Sequence, residues 1–332
     1  MNILLSPFIY VFFLTSSTLM VISSSSFFSI WLGLELNILS FIPMMNFPSE
    51  TKKAGEASIK YFLIQSIASS IILFSAIWFF LYNSSALMSF LNLMMTTALC
   101  TKLGLAPFHA WFPEVMEGLS WINSLILMTW QKISPMVTLS LFYNSTFILM
   151  LALTSALVGA ISGLNQTSLR KILAFSSVSH MGWMLTMMSF NSSLWINYLL
   201  IYFFLSFISC ISFWFFNLNF LSQLFFFKDS SVKTLVFLNL LSMGGMPPLL
   251  GFLAKMYGFL VISKSLPVLM VLIFSSLITL FFYTRICLSC FTLSQENSIS
   301  TKVSFKKSNM VANSLLMILS VVGLVPICIL VY

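Results

Sequence analysis

Long apolar runs, separated by short polar clusters, follow one another along almost the whole chain. A helix needs roughly 20 predominantly apolar residues to cross the ~30 Å hydrocarbon core of a bilayer. The pattern therefore predicts about eleven membrane-spanning helices in a chain of 332 residues. We number these predicted spans 1 to 11, and their ranges are 3–22, 27–46, 57–82, 87–118, 121–143, 146–164, 168–189, 193–220, 234–263, 267–292 and 309–331.

Composition supports a membrane protein and excludes other classes. The chain is 59% hydrophobic and only 7% charged, whereas about 25% of the residues in ordinary soluble domains are charged. We therefore expect an all-α, polytopic membrane protein with a single transmembrane domain over residues 1–332. A nucleic-acid partner would need a clustered basic face on a soluble module, and the predicted spans leave no room for one.

Two of the predicted spans are too long for one crossing and contain helix-breaking residues. Span 4 is interrupted by Gly-Leu-Ala-Pro-Phe at 104–108, and span 9 by Gly-Gly-Met-Pro-Pro at 244–248. Because the breaks lie five spans apart, an odd number, the units that contain them would run in opposite directions. Interrupted spans at matching positions indicate an inverted-repeat transporter. We expect inverted five-helix repeats over 3–143 and 146–292, followed by a C-terminal helix over 309–331.

The basic residues between the spans indicate an orientation. Those in connections after even-numbered spans are Lys52, Lys53, Arg170, Lys171, Lys228, Lys233, Lys302, Lys306 and Lys307. Connections after odd-numbered spans contain only Lys264. Because short basic connections stay on the inner side of the membrane, the N-terminus is expected on that side. An odd number of spans then places Tyr332 on the opposite side.

Four ionisable residues each interrupt a long apolar run, where charge is most costly. They are Glu35, Lys102, Lys132 and Lys255. Each costs at least ~2.5–3.5 kcal/mol on insertion scales. One such residue alone can be a structural ion-pair partner or can snorkel to the interface. Three lysines near helix breaks in different spans favour an ion or proton pathway.

Prolines in the spans predict hydration beside these lysines. A proline within a helix frees the carbonyl of the residue four positions earlier. The prolines inside the predicted spans include Pro43, Pro107, Pro135, Pro247 and Pro248. The freed carbonyls, among them those of Leu103, Met243 and Gly244, must bind side chains, other helices or water. A proton pathway requires such hydration.

Lysine suits this pathway because burial favours its neutral form, whereas a nearby carboxylate favours its charged form. Glu35 is the acidic residue that could act in this way, and one Glu–Lys contact at 4 Å is worth ~4 kcal/mol at an effective dielectric constant of 20. Lys102 is expected in the last turn before its break, at the negative end of a half-helix dipole. Lys255 is expected about two turns after its break, nearer a positive end.

Three further titratable residues are supporting candidates. Lys60 follows Glu56 by four residues, as in an i,i+4 ion pair near a helix entry. His109 directly follows the first break, and His180 lies in the middle of span 7. A membrane histidine is either a hydrogen-bonded core residue or a proton relay with an ordinary pKa of about 6.5. The sequence leaves both interpretations open.

Neither a metal site nor a cofactor site is expected in this chain. Cys287 and Cys290 form a lone C-x-x-C pair, but zinc and iron–sulfur sites need about four ligands. The sequence contains neither a strand–GxGxxG–helix motif nor a P-loop. The chain is therefore not expected to carry electrons itself.

Stretches in order along nearly the whole chain carry a family resemblance. They lie at 31–37, 56–62, 102–115, 129–132, 169–177, 180–183 and 244–252, with Lys255 after the last of them. Together they resemble the chain 2 family of NADH–ubiquinone oxidoreductase, the antiporter-like subunits in the membrane arm of respiratory complex I.

The resemblance implies a proton-pumping subunit in the mitochondrial inner membrane. Glu35 and Lys102 would form its controlling ion pair. Lys132 would be the central relay and Lys255 the terminal relay. The supporting candidates, from the preceding arguments, are Lys60, His109, His180, Pro107, Gly244 and Pro247.

The resemblance also implies partners and cofactors. NADH, FMN, iron–sulfur clusters and ubiquinone would be bound by other subunits, so this chain would serve the enzyme without a redox centre of its own. Its partners would be neighbouring antiporter-like subunits, accessory subunits and phospholipid. Bacterial relatives have further N-terminal helices that this chain would lack, as animal versions do. The N-terminus would face the matrix and the C-terminus the intermembrane space.

Two alternatives remain at this point. A cation/proton antiporter subunit of the related multisubunit type shares the fold, but it needs an oxygen-rich cation site, for which one core carboxylate is a poor basis. Sodium dependence of transport would favour it. A non-transporting scaffold would keep pumping intact when Lys132 is neutralised, while assembly would suffer.

Overall fold

The computed structural model describes residues 2–47, 51–81, 85–142, 145–190, 192–225, 230–247, 249–263 and 265–292. Within these ranges the regular structure is α-helical, apart from one isolated β-bridge between Ser168 and Phe220. The expected all-α class is therefore confirmed for this part of the chain. The predicted C-terminal helix, 309–331, lies outside the described residues, as do Lys228 and Lys264.

Fourteen helices follow one another in the described ranges. They are α1 (Asn2–Ser23), α2 (Phe27–Asn46), α3 (Lys52–Leu81), α4 (Ser85–Leu103), α5 (Trp111–Gly118), α6 (Trp121–Met128), α7 (Trp130–Leu141), α8 (Ser145–Gly163), α9 (Leu169–Ser189), α10 (Leu194–Phe215), α11 (Leu221–Phe225), α12 (Ser230–Gly244), α13 (Leu250–Ile262) and α14 (Leu266–Thr292).

Among the described residues, five helices are long and apolar enough to cross a membrane. They are Phe27–Asn46, Lys52–Phe79, Thr146–Gly163, Leu194–Phe215 and Leu266–Ser289. Shorter apolar helices are Phe8–Ser23, Lys233–Gly244 and Leu250–Ile262. Length and composition thus indicate a multi-pass membrane protein in which the interrupted spans consist of shorter helices.

Most helix boundaries agree with the predicted spans, and two of the differences have identifiable reasons. α3 begins at Lys52 rather than near residue 57 because Thr51 caps it: Ala54 N donates to Thr51 Oγ1 at 3.2 Å. α10 ends at Phe215 because Asn217 adopts a left-handed conformation with a φ of 51°. Asparagine tolerates that conformation better than most residues.

The helices pack into two units, Met1–Ser155 and Ala156–Tyr332, whose boundary falls within α8. In the first unit, α2 packs against α1 and α3, α4 packs against α3 and α7, and α5 packs against α3. In the second unit, α10 packs against α9, α12 and α13, and α14 packs against α12. A relation between the units as inverted repeats stays a prediction.

Both predicted breaks are present, and in each a glycine in the left-handed region comes directly after the helix end. α4 stops at Leu103 and α12 stops at Gly244. The next residues, Gly104 and Gly245, have φ values of 69° and 76°. Only glycine adopts this conformation without a steric penalty, which makes it the preferred residue just after a helix end.

The first break has the hydrogen bonds of a Schellman motif. Gly104 N donates to Thr101 O, and Leu105 N donates to Cys100 O, both at 3.1 Å. This pattern satisfies two of the four carbonyls that a helix leaves unpaired at its C-terminus. The last two carbonyls of α4 are left available for other donors.

The second break repeats this pattern. Gly245 N donates to Ser242 O at 3.0 Å, and Met246 N donates to Leu241 O at 3.2 Å. The last two carbonyls of α12 are therefore also left available.

The prolines act differently from the expectation at these breaks. Pro107 and Pro247 lie after the glycine cap rather than inside a helix, and both are exposed. They prevent the helix from continuing, whereas the free carbonyls result from the glycine-terminated helix end itself.

Candidate functional site

Two of the candidate lysines lie in the first unit and are almost fully buried. Lys102 is 6% exposed and Lys132 is 2% exposed. Lys102 lies in the last turn of α4, as expected, and Lys132 lies in the first turn of α7. Both ammonium groups thus belong to the ends of interrupted helices.

Span 5, expected as one helix over 121–143, is divided in the structure. α6 ends at Met128 and α7 begins at Trp130. Between them, Thr129 donates its backbone N–H and its hydroxyl to Leu125 O, at 3.0 and 2.7 Å. A hydroxyl that competes for a helix carbonyl can bend or loosen a helix. The prediction of a continuous helix is therefore wrong here, and the break lies directly before the turn that contains the buried lysine.

A cavity in the first unit is lined by both lysines. The volume in which the centre of a water molecule can lie is about 20 Å³. Roughly 10–15 Å³ of such volume is enough to hold one water. Lys102 Nζ is buried and has no hydrogen-bond partner among the described residues. Space and an unsatisfied donor support the expected hydration beside Lys102 and Lys132.

Polar side chains in the cavity wall form one hydrogen-bonded chain across three helices. Tyr61 Oη donates to Gln131 Oε1 at 3.2 Å, and Gln131 Nε2 donates to Asn37 Oδ1 at 3.1 Å. Asn37 Nδ2 then donates to Ser134 Oγ at 3.1 Å. All four side chains are buried. These hydrogen bonds connect α2 and α3 to the start of α7, and hence to the turn that contains Lys132.

Gln65 on α3 occupies one of the carbonyls left free at the first break. Its Nε2 donates to Lys102 O at 3.3 Å, and the side chain is 3% exposed. The predicted site residues do not include this polar wall, which consists of Asn37, Tyr61, Gln65, Gln131 and Ser134. The available signal was the presence of amide side chains inside apolar spans.

An aromatic ring also faces the second lysine. Lys132 Nζ lies 5.1 Å from the centroid of the Phe112 ring, and Phe112 is 2% exposed. The negative face of an aromatic ring attracts a cation, most strongly where water is excluded. α5, which follows the first break, delivers this ring to the cavity.

Glu35 lies on α2, half-buried, and is close enough to act electrostatically on Lys102. The two side chains are not in direct contact, since Lys102 Nζ has no hydrogen-bond partner in the described part of the chain. The ion pair that the resemblance implies is thus open in this structure. Its controlling role stays a prediction.

Lys60 pairs with a different acid from the one expected. Its Nζ lies 2.6 Å from Glu114 Oε2, 54 residues further along the chain. Glu114 is in the first turn of α5, which packs against α3. Glu56 contributes only a weaker electrostatic interaction. The Lys60 and Glu114 side chains are 51% and 54% exposed, so this pair lies at the periphery of the unit.

The second unit buries Lys255 against the second break. The side chain is 5% exposed, and its Nζ donates to Gly244 O at 2.5 Å. A Cβ at Gly245 would lie 2.8 Å from this Nζ, so the lysine lies directly over a residue that must be glycine. The expectation that Lys255 lies nearer a positive helix end needs correction, because its ammonium contacts the negative end of α12.

His180, in the middle of α9, binds at the other free carbonyl of this break. Its Nε2 lies 3.2 Å from Met243 O, and its Nδ1 lies 2.7 Å from the Tyr198 hydroxyl. The side chain is 5% exposed. Both free carbonyls of α12 are thus occupied by side chains that can carry a proton. The expected hydration beside Lys255 stays a prediction. Tyr198 is an addition that no sequence motif singles out.

The remaining candidate residues lie apart from these contacts. His109 is half-buried in the connection between α4 and α5 and does not line the cavity. Its functional role stays a prediction.

Among the described residues, no group of three or more His, Cys, Asp or Glu side chains could hold a metal ion. Cys100, Cys210 and Cys287 are buried free thiols. The side chain of Cys290 lies outside the described part of the chain.

Comparisons with known proteins agree on one family. The model of the NADH:quinone oxidoreductase/Mrp antiporter transmembrane family matches residues 24–280. NADH-ubiquinone oxidoreductase chain 2 of Anopheles gambiae is 45% identical over 330 residues, which cover 96% of each chain. The chain 2 of Aedes aegypti is 43% identical over 327 residues, again with 96% of each chain covered. The chain 2 of Mus musculus is 39% identical and covers 88% of this chain and 89% of its own.

Two solved structures share the fold. A chain of respiratory complex I from Thermus thermophilus with bound aureothin has a TM-score of 0.81 at 22% identity, with 96% of this chain and 78% of that chain covered. A chain of the Mrp complex from Dietzia sp. DQ12-45-1b has a TM-score of 0.81 at 14% identity, with 97% and 75% covered. On the family match and the relatives' identity, the chain belongs to the NADH-ubiquinone oxidoreductase chain 2 family, within the NADH:quinone oxidoreductase/Mrp antiporter transmembrane group.

Proposed function

We propose that this chain is a membrane-arm subunit of respiratory complex I that translocates protons across the mitochondrial inner membrane. The observation that carries the proposal is the pair of buried lysines, Lys102 and Lys132, that line one polar cavity. Intramembrane ionisable residues are costly and mark proton or ion paths. Membership of the chain 2 family supports the assignment to complex I.

In the first unit, water in the cavity would pass a proton between the two amines. Glu35 would approach or leave Lys102 and so hold or release its positive charge. Phe112 would stabilise the cation when the charge resides on Lys132. The hydrogen bonds of Gln131 to Asn37 and Tyr61 would hold α7, and with it Lys132, in a fixed position relative to α2 and α3.

In the second unit, Lys255 would act as the terminal relay. Its ammonium is held by Gly244 O, and the imidazole of His180 is held by the preceding carbonyl. Backbone carbonyls accept hydrogen bonds only, so they favour the forms of these side chains that carry a hydrogen. A proton passed to the far side of the membrane would leave from this site.

The chain would take part in the enzymatic reaction as a subunit without a redox centre. NADH, FMN, iron–sulfur clusters and ubiquinone would be bound by other subunits of the complex. Those subunits would also supply the energy, since moving one charge through 100 mV costs ~2.3 kcal/mol.

The same proposal includes orientation and partners. The N-terminus would face the matrix and the C-terminus the intermembrane space, with inverted repeats over 3–143 and 146–292 and the helix over 309–331 appended. Neighbouring antiporter-like subunits, accessory subunits and phospholipid would cover the apolar surface.

A cation/proton antiporter subunit is the alternative function. A chain of the Mrp complex has a similar fold, so the fold is compatible with both functions. Such a protein needs oxygen ligands for the cation. The described walls of the cavity supply amides, hydroxyls and two amines, but no carboxylate. Transport that requires sodium would support this alternative.

The test replaces the cavity lysines in the assembled complex. Lys132→Ala and Lys102→Ala should each lower the number of protons translocated per electron pair, because one step of the relay is lost. Lys132→Arg should lower it as well, since arginine keeps the charge but cannot release its proton. Proton uptake and NADH oxidation are measured on the same reconstituted vesicles.

Lys52→Ala is the matched control, because Lys52 is exposed and lies outside the cavity. Its stoichiometry should equal that of the unmodified complex. Normal pumping in both alanine variants would reject the relay. Normal pumping in Lys132→Arg alone would show that the charge of Lys132 is needed but the release of its proton is not, which would also reject the relay at this residue.

A further inference from the structure

The second break fixes which ring nitrogen of His180 carries hydrogen. Nε2 lies 3.2 Å from Met243 O. A carbonyl oxygen accepts hydrogen bonds and never donates them, so Nε2 must be the N–H side of the ring. The following carbonyl, Gly244 O, accepts from Lys255 Nζ. The imidazole and the amine are therefore held on consecutive carbonyls at the end of α12.

The opposite ring nitrogen is assigned by the same logic. In a neutral imidazole, one nitrogen donates and the other accepts. Since Nε2 donates to Met243 O, Nδ1 of His180 accepts, and the hydroxyl of Tyr198 donates to it at 2.7 Å. Tyr198 is 0% exposed, so bulk water does not compete for this contact.

We propose that Tyr198 is a positioning residue that holds His180 in its Nε2–H tautomer, with that hydrogen directed at the end of α12 beside Lys255. The hydroxyl of Tyr198 stabilises this tautomer because it offers a donor to Nδ1, and a donor at Nδ1 excludes a hydrogen there. The donor nitrogen of the ring then faces the end of α12, and the acceptor nitrogen faces Tyr198.

In the proposed proton relay, on which this point rests, the two ring nitrogens have different roles. Nε2 faces the end of α12 to which Lys255 is bound, so the hydrogen that His180 donates lies on the Lys255 side and the nitrogen that can accept a proton lies on the Tyr198 side. The tautomer itself does not depend on whether the subunit pumps.

Tyr202 provides a matched control on the same helix. Its ring centroid lies 5.4 Å from that of His180, compared with 5.9 Å for Tyr198. Tyr202 is 1% exposed, and its hydroxyl bonds with Ser177. Tyr202→Phe therefore removes a buried hydroxyl beside the same imidazole without removing the donor at Nδ1.

The experiment uses the assembled complex with Tyr198→Phe, Tyr202→Phe, His180→Gln and the double variant Tyr198→Phe/His180→Gln. Infrared spectra are recorded with histidine labelled with 15N in the ring, because the ring-stretching bands of the two tautomers differ. Subtraction of the His180→Gln spectrum isolates the band of His180. Native electrophoresis measures how much of each variant assembles, so that spectra and pumping are compared per assembled complex.

The unmodified complex and Tyr202→Phe should show the Nε2–H band, and Tyr198→Phe should lose it or show both bands. Pumping should fall in Tyr198→Phe, and the double variant should pump no less than His180→Gln alone. An Nδ1–H band in the unmodified complex overturns the proposal even if Tyr198→Phe fails to assemble. An unchanged band in Tyr198→Phe also overturns it. A changed band with normal pumping in His180→Gln supports the tautomer assignment and counts against the relay.

Discussion

Single residues decide what the free carbonyls bind at each break. At the first break the partner of Lys102 O is the amide of Gln65, which cannot change its charge. At the second break the partners are the imidazole of His180 and the amine of Lys255, which can. Titratable groups are thus attached directly to the backbone in the second unit, whereas the first unit presents its lysines to a cavity.

Replacement of Gly245 by alanine tests how closely Lys255 depends on the break. The left-handed backbone alone should cost ~1–2 kcal/mol for a residue with a Cβ. The new Cβ would lie 2.7 Å from Lys255 Cε and 2.8 Å from its Nζ, so the amine must also leave Gly244 O. We expect a lower melting temperature of the assembled complex and fewer protons translocated per electron pair.

Gly55→Ala is the control for this substitution. A Cβ at Gly55 has nothing within 4 Å, and the residue lies inside α3, where alanine is the better helix former. Stability should stay the same or rise slightly. If Gly245→Ala behaved like Gly55→Ala in both measurements, the close contact between Gly245 and Lys255 would contribute neither to stability nor to proton translocation.

At the residue scale the sequence was sufficient for the charged groups and insufficient for their neutral partners. A lysine in an apolar run is visible without any knowledge of the fold. The contacts of Gln131 with Asn37 and Tyr61 join residues 94 and 70 positions apart. No local pattern encodes such pairs, because only the packing of α2, α3 and α7 brings them together.

At the scale of elements, the predictable breaks are those that depend on backbone conformation. Gly104 and Gly245 end helices because their φ values are positive. A glycine followed closely by a proline predicts such a helix end from the sequence. The break at Thr129 depends on a hydroxyl that binds Leu125 O. Threonine makes that bond in some helices and not in others, so composition alone could not locate it.

The ion pair between α3 and α5 gives a prediction at this scale. Lys60→Glu and Glu114→Lys should each weaken the docking of α5, since each places two like charges at a 2.6 Å contact. The double exchange restores opposite charges and should recover most of the thermal stability and the yield of assembled complex. Both quantities are measured by native electrophoresis after graded heating.

Lys52→Glu serves as the comparison, because Lys52 lies at the start of the same helix and is exposed. A loss in the double exchange equal to the sum of the losses in the two single variants would show that the two side chains act independently. In that case α5 would be held on α3 by its apolar contacts alone.

For the whole molecule, the all-helical class and the interrupted spans follow from apolar periodicity and helix breakers. The orientation of the chain in the membrane is predicted separately, from the distribution of basic residues between the spans. Lys52 and Lys53 are the first two residues of α3, and both are exposed. Ser25, also exposed, lies in the connection between α1 and α2.

Thiol labelling checks this orientation. A membrane-impermeant reagent should modify Lys52→Cys only in inverted inner-membrane vesicles, and Ser25→Cys only in intact mitoplasts. The background is low among the described residues, since Cys100, Cys210 and Cys287 are buried. Labelling of both positions from the same side would contradict the crossing of α2, and the reverse pattern would invert the proposed topology.

The small size of the cavity beside Lys102 and Lys132 bears on energy conservation. A space of about 20 Å³ accommodates isolated solvent molecules but no continuous column of them. Within this cavity, a proton in the proposed relay is therefore passed through the lysine amines and not along a continuous file of water. The apolar residues that line the cavity, among them Leu34, Ile38 and Leu103, thus serve as insulation against passive backflow of protons at this place.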